Sequence, residues 1–141
     1  MQHQMSLITL GIADVVRSRR FYGEGFGWKP VFEMPDITFY QLNGFVFGTW
    51  LANSLEEDMK RSGNSQKGAF ALAHNVRTQE EVEPAMEQLL RFGGTLLRKA
   101  DAPPHGGFRG YVADPDDHAW EIAWNAAWPI SPEGYVTAKF G

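Results

Sequence analysis

The 141-residue chain is predicted to fold as an α+β protein made of two tandem βαβββ modules. One observation is that a strand, a helix and three further strands are predicted twice in succession. A second is that Ile12 stands two residues before the predicted helix cap Asp14, and Val76 stands two residues before the cap Thr78. The length suits a single domain. We expect it to contain module one at residues 6–52, a linker at 53–67, module two at 68–127 and a tail at 128–141.

Module one begins with an apolar stretch, Leu7–Ala13, that is typical of a buried strand. Asp14 follows as an N-cap, because its carboxylate can accept hydrogen bonds from the first amides of a helix. The helix is predicted to reach about Phe26, where Gly27 ends it. Asn43-Gly44 is a hairpin turn, since both residues tolerate positive φ. The three remaining strands are expected at Trp28–Glu33, Thr38–Leu42 and Phe45–Leu51.

Module two repeats this order after a linker with one or two helical turns around Leu55–Met59 and a polar part at Ser62–Lys67. Its first strand is predicted at Ala69–Val76. Thr78 and Glu81 have the spacing of a capping box, and the helix should end at Gly93-Gly94. The last strands are expected at Thr95–Arg98, Gly110–Ala113 and Ala119–Trp124, with a turn at Asp114–Asp117 between the final two.

Composition excludes several functions. The formal net charge is -4, and no stripe of Lys and Arg is present, so we expect no nucleic-acid partner. No apolar run approaches the roughly 20 residues that span a bilayer, so we expect no membrane partner. The absence of cysteine excludes disulfides, thiolate zinc sites and cysteine nucleophiles. The N-terminus lacks the pattern of a signal peptide, and a cytoplasmic location is expected.

Two stretches resemble a known family. Ser6–Asp14, continued by Ser18–Tyr22, resembles the opening of a vicinal-oxygen-chelate domain, the superfamily of glyoxalases, bleomycin resistance proteins and extradiol dioxygenases. Gly110–Asn125 resembles its closing hairpin, and the similarity extends over Ser6–Trp128. It implies two modules that form a curved sheet with a central cleft, a small-molecule ligand and a homodimer.

The same resemblance implies four positions at which metal-using members carry ligands. In this chain they fall on Leu7, Gly48, Ala71 and Glu121, and only Glu121 can coordinate an ion. Divalent ions need several oxygen or nitrogen donors. We therefore expect no metal and no cofactor. His105 lies in the loop 103–107, where it is free to join Glu121 as a weak ligand, and this alternative stays open.

Glu121 is the candidate catalytic residue. In an apolar cleft it would act as a general base or hold a polar ligand group, whereas on a packed sheet it would be half of an ion pair or a hydrogen-bonded strand carboxylate. Arg109 could bind an anionic group. Alanines at 69, 71 and 73 either leave room for a ligand or receive large neighbours. The candidate ligand-binding residues are Thr9, Gln41, Trp50, Ala71, Phe108, Arg109 and Tyr111.

Three functions remain open. The favoured one is a metal-free protein with a degenerate metal site that binds a small apolar or aromatic molecule in the cleft. The second is a glyoxalase-, isomerase- or dioxygenase-type enzyme that uses Glu121 as base or sole retained metal ligand. The third is a non-catalytic dimeric module. The sequence does not separate the first two.

Overall fold

The structure, a computed structural model, describes residues 1–62 and 70–138. The chain divides into two compact units, Met1–Gln66 and Lys67–Gly141. Each unit contains a four-stranded mixed sheet, so the predicted α+β class and its two βαβββ modules are confirmed. Within the described ranges, no helix is long and apolar enough to cross a membrane. The expectation that both modules form one domain stays a prediction.

The first unit has the predicted order of elements. Its strands lie in the order β1-β4-β3-β2, with β1 parallel to β4 and the other neighbours antiparallel. The elements are β1 (Leu7–Ile12), α1 (Val15–Arg19) continued by a π-helical segment (Arg20–Gly25), β2 (Pro30–Glu33), β3 (Ile37–Gln41), β4 (Val46–Leu51) and α2 (Ala52–Met59).

The first helix begins as predicted but changes type. The Asp14 carboxylate accepts a hydrogen bond from the Arg17 amide at 2.9 Å, as an N-cap does. From Arg20 onward the helix widens into the π form, where the sequence predicts a regular helix to Phe26. In this segment the neighbours Phe21 and Tyr22 are both fully buried. Gly27 has φ +74° and follows the helix end, as predicted.

The linker contains the predicted helix, which begins three residues earlier than expected. Helix α2 follows β4 directly, because Leu51 is its N-cap and Ala52 its first residue. It lies over β1 at Gly11, where a Cβ would be 3.5 Å from the Cβ of Ala52. Lys60, in the left-handed region with φ 56°, ends it. Of the predicted polar stretch Ser62–Lys67, residues 63–67 lie outside the described residues, as does Ala69.

The second unit repeats the arrangement with the sheet order β5-β8-β7-β6. The Thr78 and Glu81 capping box is present and opens a short 3-10 turn, Gln79–Glu81, that leads into the helix. The elements are β5 (Leu72–Asn75), α3 (Val82–Arg91), β6 (Thr95–Asp101), β7 (Phe108–Ala113) and β8 (Ala119–Trp124).

Strand β6 differs most from its prediction. The sequence predicts Thr95–Arg98, but the strand continues to Asp101. Its pairing with β7 shifts register twice, between Leu96 and Arg98 and between Arg98 and Asp101. Each shift breaks the two-residue alternation on which strand prediction depends, so the strand's second half has no visible pattern.

Each sheet packs one face against a helix. Helix α1 with its π-helical segment covers the first sheet, where the rings of Tyr22 and Phe47 lie 4.8 Å apart. Helix α3 covers the second sheet through Val82, Met86 and Leu89, all buried. The opposite face of the second sheet is therefore the one that can present polar side chains.

The tail is mostly irregular over its described residues, 128–138, as predicted. Ile130 and Val136 form an isolated bridge. The Arg77 guanidinium donates hydrogen bonds to the carbonyl oxygens of Ile130 at 3.1 Å and Ser131 at 2.9 Å, which holds the tail against the second unit.

Candidate functional site

The face of the second sheet opposite α3 carries one aligned side chain from each strand. Tyr111 is paired with Glu121, Glu121 with Ala73, and Arg98 with Tyr111. Ile122, next to Glu121 in β8, is fully buried on the α3 side. Because side chains alternate along a strand, Glu121 and its partners lie on the other face. We call these four aligned residues the polar row; from β5 to β6 they are Ala73, Glu121, Tyr111 and Arg98.

Glu121 and Tyr111 form the central pair of the row. The Tyr111 hydroxyl donates a hydrogen bond to Oε2 of Glu121. This hydrogen bond, burial and the carboxylate charge raise the pKa of Tyr111, and the positive charges of Arg109 and Arg98 oppose the increase. The phenol is therefore a neutral donor at physiological pH. Among the described residues, Glu121 has no ion-pair partner and its Oε1 accepts no hydrogen bond.

Small side chains surround Glu121. Ala119 and Ala123 precede and follow it on the same face of β8, and Ala73 faces it from β5. Ala71, just before β5, and Ala73 are both exposed, so neither of them receives a large neighbour. The exposed Ala73 leaves space beside the carboxylate on the β5 side, whereas Ala123 is already covered.

A second charged group shares Arg98 with the polar row. The Asp101 carboxylate accepts hydrogen bonds from Arg98 Nη2 at 2.8 Å and from Arg109 Nη1. Arg109 is the least exposed member, with 16% of its side chain accessible against 50% for Asp101. The register shifts of β6 place Arg98 opposite Tyr111 and Asp101 opposite Arg109. We call Arg98, Asp101 and Arg109 the arginine clamp.

Sequence reasoning identified Arg109, Tyr111 and Glu121 but missed Arg98 and Asp101. The missed pair falls where the predicted β6 ends. The available signal was the opposite charge of two residues three positions apart.

Phe108 does not belong with Arg109 and Tyr111. It is paired with Trp124 and shares the parity of Gly110 and Val112, which face α3. The prediction that Phe108 lines the site together with Arg109 is wrong, because consecutive strand residues point to opposite faces. Phe108 therefore lies outside the candidate site.

The loop before β7 packs closely against the end of β8 at Gly107. A Cβ on Gly107 would lie 2.7 Å from the carbonyl oxygen of Trp124, and the glycine has φ +86°. His105 is exposed in this loop. Within the described residues, no group of three or more His, Asp or Glu side chains could hold a metal ion.

The remaining candidates, Thr9, Gln41 and Trp50, lie in the first unit. Thr9 is opposite Gly48 in the pairing of β1 with β4. The Gln41 amide donates to the carbonyl oxygens of Leu42 at 2.8 Å and Phe45 at 3.2 Å, which supports the hairpin loop. The Trp50 indole donates to Oδ2 of Asp36 at 2.8 Å. The polar groups of Gln41 and Trp50 thus make structural hydrogen bonds.

The residues at the four positions that the family resemblance implies as metal ligands do not fit a divalent ion. Leu7, Gly48 and Ala71 supply no donor atom, and one carboxylate cannot complete a coordination sphere. The space at Gly48 is already filled, because a Cβ there would be 3.0 Å from the Phe39 ring and 3.5 Å from Leu7.

These features define a two-module α+β protein with paired polar residues on the last strands of its second module. A family model described as "Glyoxalase/Bleomycin resistance protein/Dioxygenase superfamily" matches residues 4–122. The chain belongs to this superfamily.

Solved structures agree with this assignment. A glyoxalase-related enzyme from Fulvimarina pelagi is 60% identical, covers 99% of this chain and 100% of its own, and superposes with a TM-score of 0.95. A glyoxalase/bleomycin resistance protein/dioxygenase family enzyme from Burkholderia phytofirmans PsJN is 20% identical, with 86% and 98% covered and a TM-score of 0.78. A lactoylglutathione lyase from Agrobacterium tumefaciens is 14% identical, with 88% and 95% covered and a TM-score of 0.66. The last two similarities concern the fold alone.

Proposed function

We propose that this protein binds a small apolar or aromatic molecule on the open face of its second sheet, without a metal. Glu121 and Tyr111 would hold a polar group of that molecule. The exposed Ala73, paired with Glu121, would make room for its apolar part, since a small side chain leaves volume above a sheet.

The observation that carries this proposal is the state of the Glu121 carboxylate. Tyr111 occupies Oε2, while Oε1 accepts no hydrogen bond from any described residue. A carboxylate fixed through one oxygen keeps the other in a defined direction. A ligand N–H or O–H donor would complete it, because hydrogen bonds to charged acceptors are strong and directional.

A second candidate is an enzyme in which Glu121 acts as a general base. The observation that favours it is the adjacent Tyr111, whose hydroxyl could stabilise charge beside the carboxylate while Oε1 accepts a proton. The 60% identity to a protein described as a glyoxalase-related enzyme also supports it. This candidate differs from the first only in requiring turnover.

A ligand screen tests the proposal. Aromatic and apolar compounds would be tested by thermal shift with and without divalent metals, and binders would be titrated by NMR into wild type, Glu121→Gln and Tyr111→Phe. We expect binders that need no metal and that both variants weaken by about tenfold, the loss of one charge-assisted hydrogen bond. Glu87→Gln, an exposed helix position, is the matched control and should bind normally.

Two results would contradict the proposal. One is that every binder keeps its affinity in Glu121→Gln. The other is that binding requires added metal. Time-dependent conversion of a bound compound by wild type, absent in Glu121→Gln, would establish the enzymatic candidate instead.

We also propose a homodimer. Strands β2 and β6 are edges of their sheets, and all four residues of β2 are exposed, including Val31 at 63%. Exposed apolar edges usually need a covering partner. Light scattering should give about twice the 15.9 kDa chain mass, and a monomer at micromolar concentration would exclude the dimer.

A further inference from the structure

We infer that the ligand of this site carries an anionic group, a carboxylate or a phosphate, which binds Arg109 and Arg98 in place of Asp101. This inference rests on the proposed function and names the chemical class of its ligand. In the structure, Asp101 provides the carboxylate that pairs with both guanidiniums.

The chemistry of the arginine clamp supports this ligand class. A guanidinium presents several N–H donors in one plane, a geometry that matches carboxylate and phosphate oxygens. Two guanidiniums already share one carboxylate here. A ligand carboxylate would make the same contacts, so the arginines need no new arrangement to receive it.

Displacing Asp101 from the arginines costs little free energy. Asp101 and Arg98 each have about half of their side chains exposed, at 50% and 51%. Exposed ion pairs contribute little to stability, because water solvates both charges when they separate. Arg109 is different, since only 16% of its side chain is exposed. The anchoring cation therefore stays in place while its half-exposed carboxylate partner can turn to water.

The relative positions of Arg109 and Glu121 define the ligand further. Arg109 and Glu121 are diagonal neighbours across β7 and β8, because Tyr111 pairs with Glu121 and Arg109 with Ala123. Diagonal neighbours in an antiparallel pair lie about 7–8 Å apart at the backbone, and the Arg109 side chain extends from there to Asp101 on β6. A small ligand with an anionic group at one end and a hydrogen-bond donor at the other would contact both residues.

The test uses two probes that differ in charge, 4-hydroxybenzoate and 4-hydroxybenzamide, titrated by NMR into the full-length protein. We expect wild type to bind the benzoate more tightly than the amide. Asp101→Asn should bind the benzoate about three- to tenfold more tightly, because a competing exposed carboxylate is removed. Binding of the amide should not change. Asp58→Asn, an exposed site in α2, removes the same charge elsewhere and is the matched control.

Substitution of the arginines should reduce the preference for the benzoate over the amide. Arg109→Gln should abolish the preference for the benzoate. If that variant fails to fold, Arg98→Gln, whose side chain is half exposed, should reduce the preference instead.

The outcomes separate the two proposals. Equal affinity for both probes in wild type and Asp101→Asn, with binding still weakened by Glu121→Gln, would overturn the anionic ligand and leave the proposed function intact. If Glu121→Gln leaves the affinity for both probes unchanged, the anionic ligand and the proposed function are both overturned. Tighter benzoate binding in Asp58→Asn equal to that in Asp101→Asn would also overturn the inference, because general charge would then explain it.

Discussion

Tyr111 and Glu121 show how one hydrogen bond between neighbouring strands sets the properties of both side chains. The phenol directs the carboxylate, and the carboxylate raises the pKa of the phenol. The folded-state pKa of Tyr111 lies above its ordinary value of 10.0. The pair therefore stabilises the fold below pH 10, and this contribution is lost as the pH rises through the folded-state pKa.

The titration of Tyr111 is the first prediction. Glu121→Gln should lower the pKa of Tyr111, because the charged acceptor that disfavours the phenolate is gone. The measurement is a pH titration of the tyrosine ring carbon signals by NMR. Tyr40 serves as the internal control, since burial is the main cause that raises its pKa to about 12 and Glu121 has no part in it. An unchanged pKa of Tyr111 in the variant would show that the hydrogen bond is not its cause.

The turn between β7 and β8 contains a second titrating residue, His118. Its Nδ1 lies 2.8 Å from Oδ2 of the buried Asp114. Burial lowers the pKa of His118, but the hydrogen bond and charge of Asp114, with Asp116 and Asp117, outweigh this and raise it above 6.5. Because the folded-state pKa is raised, the stabilisation is complete below pH 6.5 and is lost as the pH rises through the folded-state pKa.

We therefore predict that the free energy of unfolding decreases as the pH rises above 6.5, and that His118→Gln removes this dependence. Urea denaturation at a series of pH values measures it. His3→Gln, at an exposed position, is the control and should keep the wild-type dependence. A wild-type pH profile retained in His118→Gln would assign the effect to another group.

For single residues, the sequence predicts the face on which a side chain lies only where strand pairing is regular. Asp117 has φ 73°, a left-handed geometry that Asp tolerates. Glu121 and Tyr111 were both candidates from the sequence, and their direct pairing across β7 and β8 places them on one face. Arg98 and Asp101 were not, because their positions depend on two register shifts that leave no mark in the sequence.

Among the elements, β7 and α3 approach each other closely at Gly110. A Cβ on Gly110 would lie 2.5 Å from Cε and Sδ of Met86 and 2.9 Å from the carbonyl oxygen of Arg98. The methionine can move, but the backbone of β6 cannot move without changing its pairing with β7.

Gly110→Ala is accordingly predicted to destabilise the fold by about 1–3 kcal/mol, the usual effect of overpacking a core. Urea denaturation gives the value. Gly23→Ala is the matched control, since the nearest atom to a Cβ there is 3.8 Å away. Equal stability of the two variants would mean that α3 adjusts freely against the sheet.

The elements also show where sequence patterns suffice. Strand β8 has the predicted bounds, Ala119–Trp124, because an alternating segment follows a turn with a clear signature. The segment Arg20–Gly25 was predicted as ordinary helix. Its π form places Phe21 and Tyr22 in the core together, and this packing preference is tertiary rather than local.

For the whole molecule, the internal repeat predicted both modules, and the family was identified from the resemblance of Ser6–Asp14 and Gly110–Asn125 to a vicinal-oxygen-chelate domain. The repeat does not identify a ligand, because side chains such as Arg98 and Asp101 lie outside the repeated pattern.

The metal content of the purified protein is a further prediction. Purified protein should contain no stoichiometric Zn, Ni, Fe or Mn, and EDTA should not change its melting temperature, because three of four family ligand positions lack donor atoms. Elemental analysis and thermal denaturation measure both. About one metal per chain, lost in Glu121→Ala, would contradict this prediction.

The packing of Phe39 over Gly48 also limits the order in which this sequence can change during evolution. A side chain at position 48 would require a small shift of the Phe39 ring, which is itself stacked on Phe32 with ring centroids 5.5 Å apart. We therefore expect a mutation at position 48 to be tolerated better in a lineage that has already replaced Phe39 with a smaller residue. On an evolutionary route from this protein to a metal-binding descendant, an early change at position 39 would favour the later change at position 48.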